Sequence, residues 1–406
     1  MPGTNRLKTV LFGMLLLATQ TACAKLEIDK DLPAGNIFVT GVTNDTVCLQ
    51  NEMRDTSGWW FYWAFRVRGA EGRTLTFKFV NGSPVGTRGP CVSTDQGATW
   101  RYLSDGYTQS QFRYAFAATE TEVWFAMGMV YTQRNWDGFM KKMAGSPFLE
   151  TGTLTRSRKG REVEKVRLGC IASEPRQRVL LTARHHCCEM MASYVLEGIV
   201  EGVLADDEKG KWLRGNVEFL VIPFVDKDGV EDGDQGKNRK PHDHARDYRG
   251  DSLHTETAAI RTQVPIWAKG KLDVVLDLHC PWIRGRYNEW VYQVGNPVMA
   301  VRPEYWEQQA AFGQLLENVE PNVLSYRQAD DLPFGKAWHT AANYTQGITL
   351  YNWATVELAG VRLAGAFEIP FATANGTEVN ATTARQFGKN MAVALWAYLQ
   401  KQGGER

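Results

Sequence analysis

Two kinds of hydrophobic patterning follow one another along the chain. From Lys25 to about Gly145, apolar and polar residues change places over short runs broken by turn residues. Trp59 to Val67 is rich in aromatic and β-branched residues, and Thr74 to Val80 alternates before the turn pair Asn81-Gly82. Trp100 to Leu103, Gln111 to Phe116 and Glu122 to Ala126 read as further strands. Alternation of period two turns one face of a strand to a core. Many short strands with turn signals between them predict an all-β sandwich over residues 25–147.

From about Thr151 the pattern changes. Val179 to Thr182, Val217 to Ile222 and Leu272 to Leu278 are apolar runs of strand length, and Glu289 to Val294 is a fourth candidate. Met191, Val195 and Ile199 fall on one helical face, as do Phe387, Met391, Leu395 and Leu399. Alternating strands and helices predict an α/β domain over residues 148–406, with a mixed, mostly parallel sheet flanked by helices. Ser157 to Lys165 is polar and reads as a loop near the boundary. In such sheets ligands gather at the carboxyl ends of the strands.

Residues 1–24 carry a different signal. Arg6 and Lys8 precede the apolar run Val10 to Ala18, and Ala22-Cys23-Ala24 fits a small-residue cleavage site. The expectation is a secretory signal peptide and an exported protein, periplasmic or secreted. Cleavage before Cys23 would instead leave a residue for a lipid anchor. No later segment is apolar enough to predict a transmembrane span. The net charge of +1 gives no basic excess for a nucleic-acid partner. In an exported chain Cys48 and Cys91 are candidates for a disulfide, and buried free thiols are the alternative.

All seven histidines lie between His185 and His339, which places imidazole chemistry in the second domain. His186-x-x-Glu189 leaves a strand and enters a helix, so a three-residue offset can aim both side chains at one point. Alone the pattern is common by chance. However, Leu272 to His279 is an apolar strand ending in a histidine. Two imidazoles and one carboxylate with an open fourth position form a catalytic zinc set. Asp277, two residues before His279, is placed to orient it.

The order of the motifs is more specific than any one of them. Arg184-His-His-Cys-Cys-Glu189, Asp226-Lys-Asp-Gly229, Asn238-Arg239, Asp243 to Tyr248 and Leu276-Asp-Leu-His279 succeed one another. In this the chain resembles the carboxypeptidase A family of zinc carboxypeptidases. It is most similar to the cytosolic-carboxypeptidase-like branch, whose members carry a β-sandwich ahead of the catalytic domain. The resemblance implies a carboxypeptidase-like fold, a Zn2+ cofactor held by His186, Glu189 and His279, and a peptide or peptide-like substrate. It gives Arg239 the task of polarising the scissile carbonyl and Arg246 that of gripping a terminal carboxylate. Glu368 matches the general base, with Glu357 a weaker competitor. Tyr344 matches the substrate-capping tyrosine, and Tyr351 falls near the specificity pocket.

One departure matters. The family usually carries Asn-Arg where this chain has Ala245-Arg246. Losing that amide weakens a strict demand for a terminal carboxylate. Beside a metallocarboxypeptidase, the sequence therefore admits a zinc amidase or deacylase acting on peptidoglycan peptides or acylated amino acids. A binding protein that kept the fold without the reaction is the third reading.

Overall fold

A computed structural model of the chain describes residues 25–403. The leader pattern and Cys23 lie outside the described residues. The first part is β-rich: β1 (Glu27–Asp29), β2 (Phe38–Thr43), β3 (Thr46–Gln50), β4 (Ala64–Arg68), β5 (Thr74–Phe79), β6 (Cys91–Ser93), β7 (Arg101–Tyr102), β8 (Gln111–Ala115) and β9 (Glu122–Ala126). They form a five-stranded sheet, β1-β4-β9-β6-β7, and a four-stranded sheet, β2-β3-β5-β8. The two sheets meet through aromatic rings. Phe125 of one lies 5.2 Å from Phe77 and 5.3 Å from Phe112 of the other. Trp63 is fully buried among them, which gives it a packing role. The run before β4 is not a strand, however: Trp59 to Trp63 crosses irregularly toward the second part. Cys48 and Cys91 are both free thiols. They sit in different sheets, on β3 and β6, so the expected bridge does not form.

A helix, α1 (Gln133–Lys142), leads into the second part: β10 (Leu149–Arg156), β11 (Glu162–Gly169), β12 (Gln177–Ala183), α2 (Met191–Leu204), α3 (Glu208–Asn216), β13 (Val217–Ile222), α4 (Lys227–Asp232), α5 (Thr255–Ala268), β14 (Leu272–His279), β15 (Tyr292–Val294), α6 (Glu304–Glu317), α7 (Leu350–Glu357), β16 (Leu363–Glu368) and α8 (Ala381–Gly403). The stretch read as a polar loop is the turn of the β10–β11 hairpin plus the start of β11. Its polar residues suit an edge hairpin with solvent on one face.

The seven strands run β10-β11-β13-β12-β14-β16-β15. The centre, β13-β12-β14-β16, is parallel, and β11 and β15 join it antiparallel. Strands buried on both faces are mostly apolar along their length, which is why the middles of β12, β13 and β14 read as strands. On one face α2 packs against α8 almost backbone to backbone. A Cβ at Gly198 would stand 2.0 Å from the Arg385 carbonyl oxygen, and one at Gly388 2.0 Å from that of Val195. No helix among the described residues is long and apolar enough to cross a membrane.

Candidate metal centre and active site

The carboxyl ends of β12, β14 and β16 converge on one edge of the sheet. Arg184, the first residue past β12, takes a positive φ of 63°, a conformation unfavourable for a side-chain-bearing residue. Its guanidinium holds the turn by donating to the carbonyls of Tyr131 and Cys187 and to Ser193 Oγ. The reversal turns His186 and Glu189 back over the strand ends. His279 ends β14.

The structure brings His186, Glu189 and His279 together. His279 Nδ1 lies 3.2 Å from His186 Nδ1 and 2.8 Å from Glu189 Oε2, and His186 Nδ1 lies 2.9 Å from Glu189 Oε1. Tetrahedral ligands about 2.0–2.1 Å from a zinc ion stand about 3.3–3.4 Å apart. The two imidazole nitrogens are already at about that separation, each faces a different oxygen of the Glu189 carboxylate, and all three residues are buried. Each imidazole turns its other nitrogen to a carboxylate. His279 Nε2 is 2.7 Å from Asp277 Oδ2, and His186 Nε2 is 3.2 Å from Asp243 Oδ1. Such partners fix the tautomer and aim Nδ1 at a metal. Against the upward push of burial, the imidazoles of His185 and His279 hold the Asp277 carboxyl well below the usual range. For Asp243, His186 and Arg246 oppose burial in the same way.

His185 does not enter the cluster as a further arm. Its two nitrogens are taken by Asp277 Oδ1 at 2.8 Å and Tyr248 Oη at 2.7 Å. A separate group, His244, His254 and Glu256, also places ligand atoms within 4.8 Å of one another. There the two rings lie face to face, 3.5 Å between centroids and 19° from parallel. Stacked rings point their nitrogens side by side, so this group is a poorer chelate.

Glu368 ends β16 and is the register partner of His279. It is buried, and its Oε2 has no hydrogen-bond partner among the described residues. Burial, reinforced by the neighbouring Glu189 carboxylate, raises its pKa, while Lys237 opposes the rise. Glu357, at the end of α7, borders a surface hollow with Gly250 and Pro265 instead.

Arg246 sits three residues after Asp243. Its Nε donates to the Asn343 carbonyl at 2.8 Å and its Nη1 to that of Ala245 at 3.1 Å, and it lies 5.3 Å from the Tyr344 ring centre. Tyr344 Oη is 3.3 Å from Tyr351 Oη. These three residues thus form one wall.

Arg239 is paired with carboxylates. Its guanidinium donates to Asp226 Oδ2 at 2.5 Å and Asp234 Oδ2 at 2.9 Å, with Cys187 Sγ 3.7 Å away. Two buried carboxylates hold it beside the turn that carries His186 and Glu189. The cation that does reach them is Lys237, which the sequence reading passed over. Its ammonium pairs with Glu189 Oε1 and lies 3.4 Å from the Cys280 carbonyl oxygen. The available signal was a lysine two residues before the expected arginine, just after Gly236.

With this geometry in view, known proteins sharpen the reading. Residues 137–262 match the zinc carboxypeptidase family, and residues 28–127 match the cytosolic carboxypeptidase N-terminal domain. The chain is 24% identical to cytosolic carboxypeptidase 6 of Caenorhabditis elegans over 248 residues, 54% of each protein. It spans about half the length of that curated relative. Among solved structures, the metallo-carboxypeptidase of Burkholderia cenocepacia superposes with a TM-score of 0.77 at 20% identity, covering 93% of this chain and 100% of that one. The metallo-carboxypeptidase of Pseudomonas aeruginosa, solved with (2-guanidinoethylmercapto)succinic acid, gives 0.74 at 20% identity over 92% and 99%. Those likenesses concern the fold. In chain order, then, a segment that matches the cytosolic carboxypeptidase N-terminal domain precedes one that matches the zinc carboxypeptidase family.

Proposed function

We propose that the protein is a zinc-dependent metallocarboxypeptidase that hydrolyses the C-terminal bond of peptides. The observation that carries this is the convergence of His186, Glu189 and His279 at the edge of the sheet, with Glu368 beside them. A zinc ion held by these three residues would supply Lewis acidity and a water acidic enough to attack near neutral pH. Glu368, buried and pushed toward the protonated form, suits a group that takes a proton and returns it. It accepts the water's proton as the oxygen bonds to the carbonyl carbon. It then hands that proton to the amine nitrogen as the carbon–nitrogen bond breaks.

Arg246 supports the terminal-residue reading. Its hydrogen bonds go to carbonyl oxygens, and it acts on the Asp243 carboxylate without a direct ion pair among the described residues. A guanidinium in that state suits a substrate carboxylate, which it can bind through two N–H groups. Tyr344 and Tyr351 line the same wall as substrate contacts. Ala245, buried and without an amide, favours the second reading, an amidase or deacylase.

Assays on peptides with free and amidated C-termini separate the two. We expect hydrolysis of the free form, loss on chelation and recovery with zinc. Equal turnover of amidated peptides would favour the amidase. No turnover at full zinc occupancy would leave only a binding role. We further propose export, on the pattern of residues 6–24, although the named relatives are cytosolic. Fractionation and the start of the mature chain test this, and a lipid on Cys23 would show the anchored form.

A further inference from the structure

The first domain shapes the loop that carries Lys237. Asp55 accepts the backbone N–H of Gln235 at 3.0 Å on Oδ1 and that of Gly236 at 2.8 Å on Oδ2. Its own carbonyl accepts from Lys240 N at 2.8 Å, so one residue of the first domain grips both ends of the loop. The Gln235 side chain completes the grip. Its Oε1 accepts from Tyr62 N at 2.8 Å and its Nε2 donates to Tyr62 O at 2.9 Å.

On its other side the loop touches the metal-ligand turn. Gly236 has φ 76°, and a Cβ there would lie 2.5 Å from Cys187 N. From the loop held between Asp55 and Cys187, the next side chain turns inward. Lys237 passes Trp60, also of the first domain, with Nζ 5.7 Å from the ring centre, and ends on Glu189. Arg239, one residue beyond Asn238, faces the opposite way into Asp226 and Asp234.

We propose that the first domain is part of the catalytic apparatus: Lys237 is the catalytic cation that meets the scissile carbonyl oxygen, and Asp55 is the positioning residue that delivers it. This rests on the hydrolase reading above. As water's oxygen bonds to the carbonyl carbon, the C=O π pair moves onto the carbonyl oxygen. The Lys237 ammonium donates a hydrogen bond to that oxygen while keeping its proton. When the carbon–nitrogen bond breaks, the pair returns to the carbonyl. A fixed cation placed where charge develops is worth more than one that must reorganise.

The test uses the full chain loaded with zinc. Lys237→Met keeps most of the stem and removes the charge. We expect kcat to fall about 10²–10³-fold, the size seen when one oxyanion donor is lost, with zinc content unchanged. Lys237→Arg should regain at least a tenth of the wild-type rate. Asp55→Asn should lower kcat in the wild-type background and add nothing in the Lys237→Met background, because its effect runs through the lysine. Its effect on the melting midpoint should be the same in both backgrounds.

Binding provides a readout that does not need turnover. A peptide phosphinate carries the negative oxygen of the tetrahedral state, and a product peptide does not. Lys237→Met should weaken the phosphinate at least tenfold and leave the product within about threefold, in line with selective transition-state binding. Full kcat in Lys237→Met, equal weakening of both ligands, or multiplying effects of the Asp55 and Lys237 changes would overturn the proposal. Lysine-dependent phosphinate binding without any wild-type hydrolysis would uphold the lysine as the oxyanion group and sink the hydrolase reading instead.

Discussion

His279 and Glu368 are register partners at the carboxyl ends of two neighbouring parallel strands, β14 and β16. His279 belongs to the candidate metal-binding group and Glu368 is a buried carboxyl group beside it, and the sheet holds them at a fixed spacing. Their tasks should therefore come apart on mutation. Glu368→Gln should retain zinc and lose about 10²–10⁴-fold in kcat, the range for a lost general base. His279→Ala should lose the zinc itself. Metal analysis beside steady-state kinetics checks both, and a Glu368→Gln enzyme of full activity would remove that residue from the mechanism.

The carboxylates behind the ligands make a subtler prediction. Asp277→Asn and Asp243→Asn leave all three ligands in place but weaken the hold on the imidazole tautomers. Zinc affinity should drop about 10–100-fold in each. Competition with a chromogenic chelator measures it. Unchanged affinity in both variants would show that the backbone alone orients the rings.

Packing of α2 on α8 makes Gly198 irreplaceable. Inside a helix alanine ordinarily gains about 1 kcal/mol over glycine. Here the added carbon would stand 2.0 Å from a backbone oxygen, which cannot swing aside like a side chain. We expect Gly198→Ala to lower stability by about 1–3 kcal/mol, as overpacking does, measured by urea denaturation. A stabilised variant would refute the close approach of the helices.

Asp331 should print a pH dependence on stability. Burial lifts its carboxyl from the ordinary 3.8 to about 7, against the hydrogen bonds it accepts from Gln293 and Tyr326. In the folded state it keeps a proton that the unfolded chain has released. Stability should therefore fall as pH rises from about 4 to about 7 and level off above, by on the order of 1–4 kcal/mol. Asp331→Asn should flatten that slope. Chemical denaturation of both proteins at pH 4.5, 6 and 8 gives the comparison, and parallel curves would contradict it.

Much of this was legible beforehand because it follows from local chemistry. A mostly apolar run such as Leu272 to Leu278, interrupted only by Asp273 and Asp277, reads as a strand covered on both faces, and a histidine at its end as one at the rim of the sheet. The three-residue offset of His186 and Glu189 was legible, but both residues lie on the turn that precedes α2 and not on its first helical turn. The grouping of histidines in the second part excluded metal-binding imidazoles from the first. The errors arose where neighbours in space decide. Trp59 to Trp63 has strand composition yet runs irregularly, because those rings and carbonyls serve the junction with the second part. Cys48 and Cys91 suit a bridge by composition, but separate sheets keep them apart.

The arginine and lysine of the 234–240 loop show the division most sharply. The family resemblance assigned the carbonyl-polarising task to Arg239, and nothing in residue order sets that residue apart from Lys237. Side chains at 237 and 239 are two positions apart on a tight, glycine-containing loop, so no periodicity sorts them. Two carboxylates from the second part capture Arg239, and Asp55, some 180 residues earlier in the chain, fixes the backbone so that Lys237 turns inward. Charge pairing in a buried setting is decided by distance in three dimensions, and that distance exists only once both domains have packed.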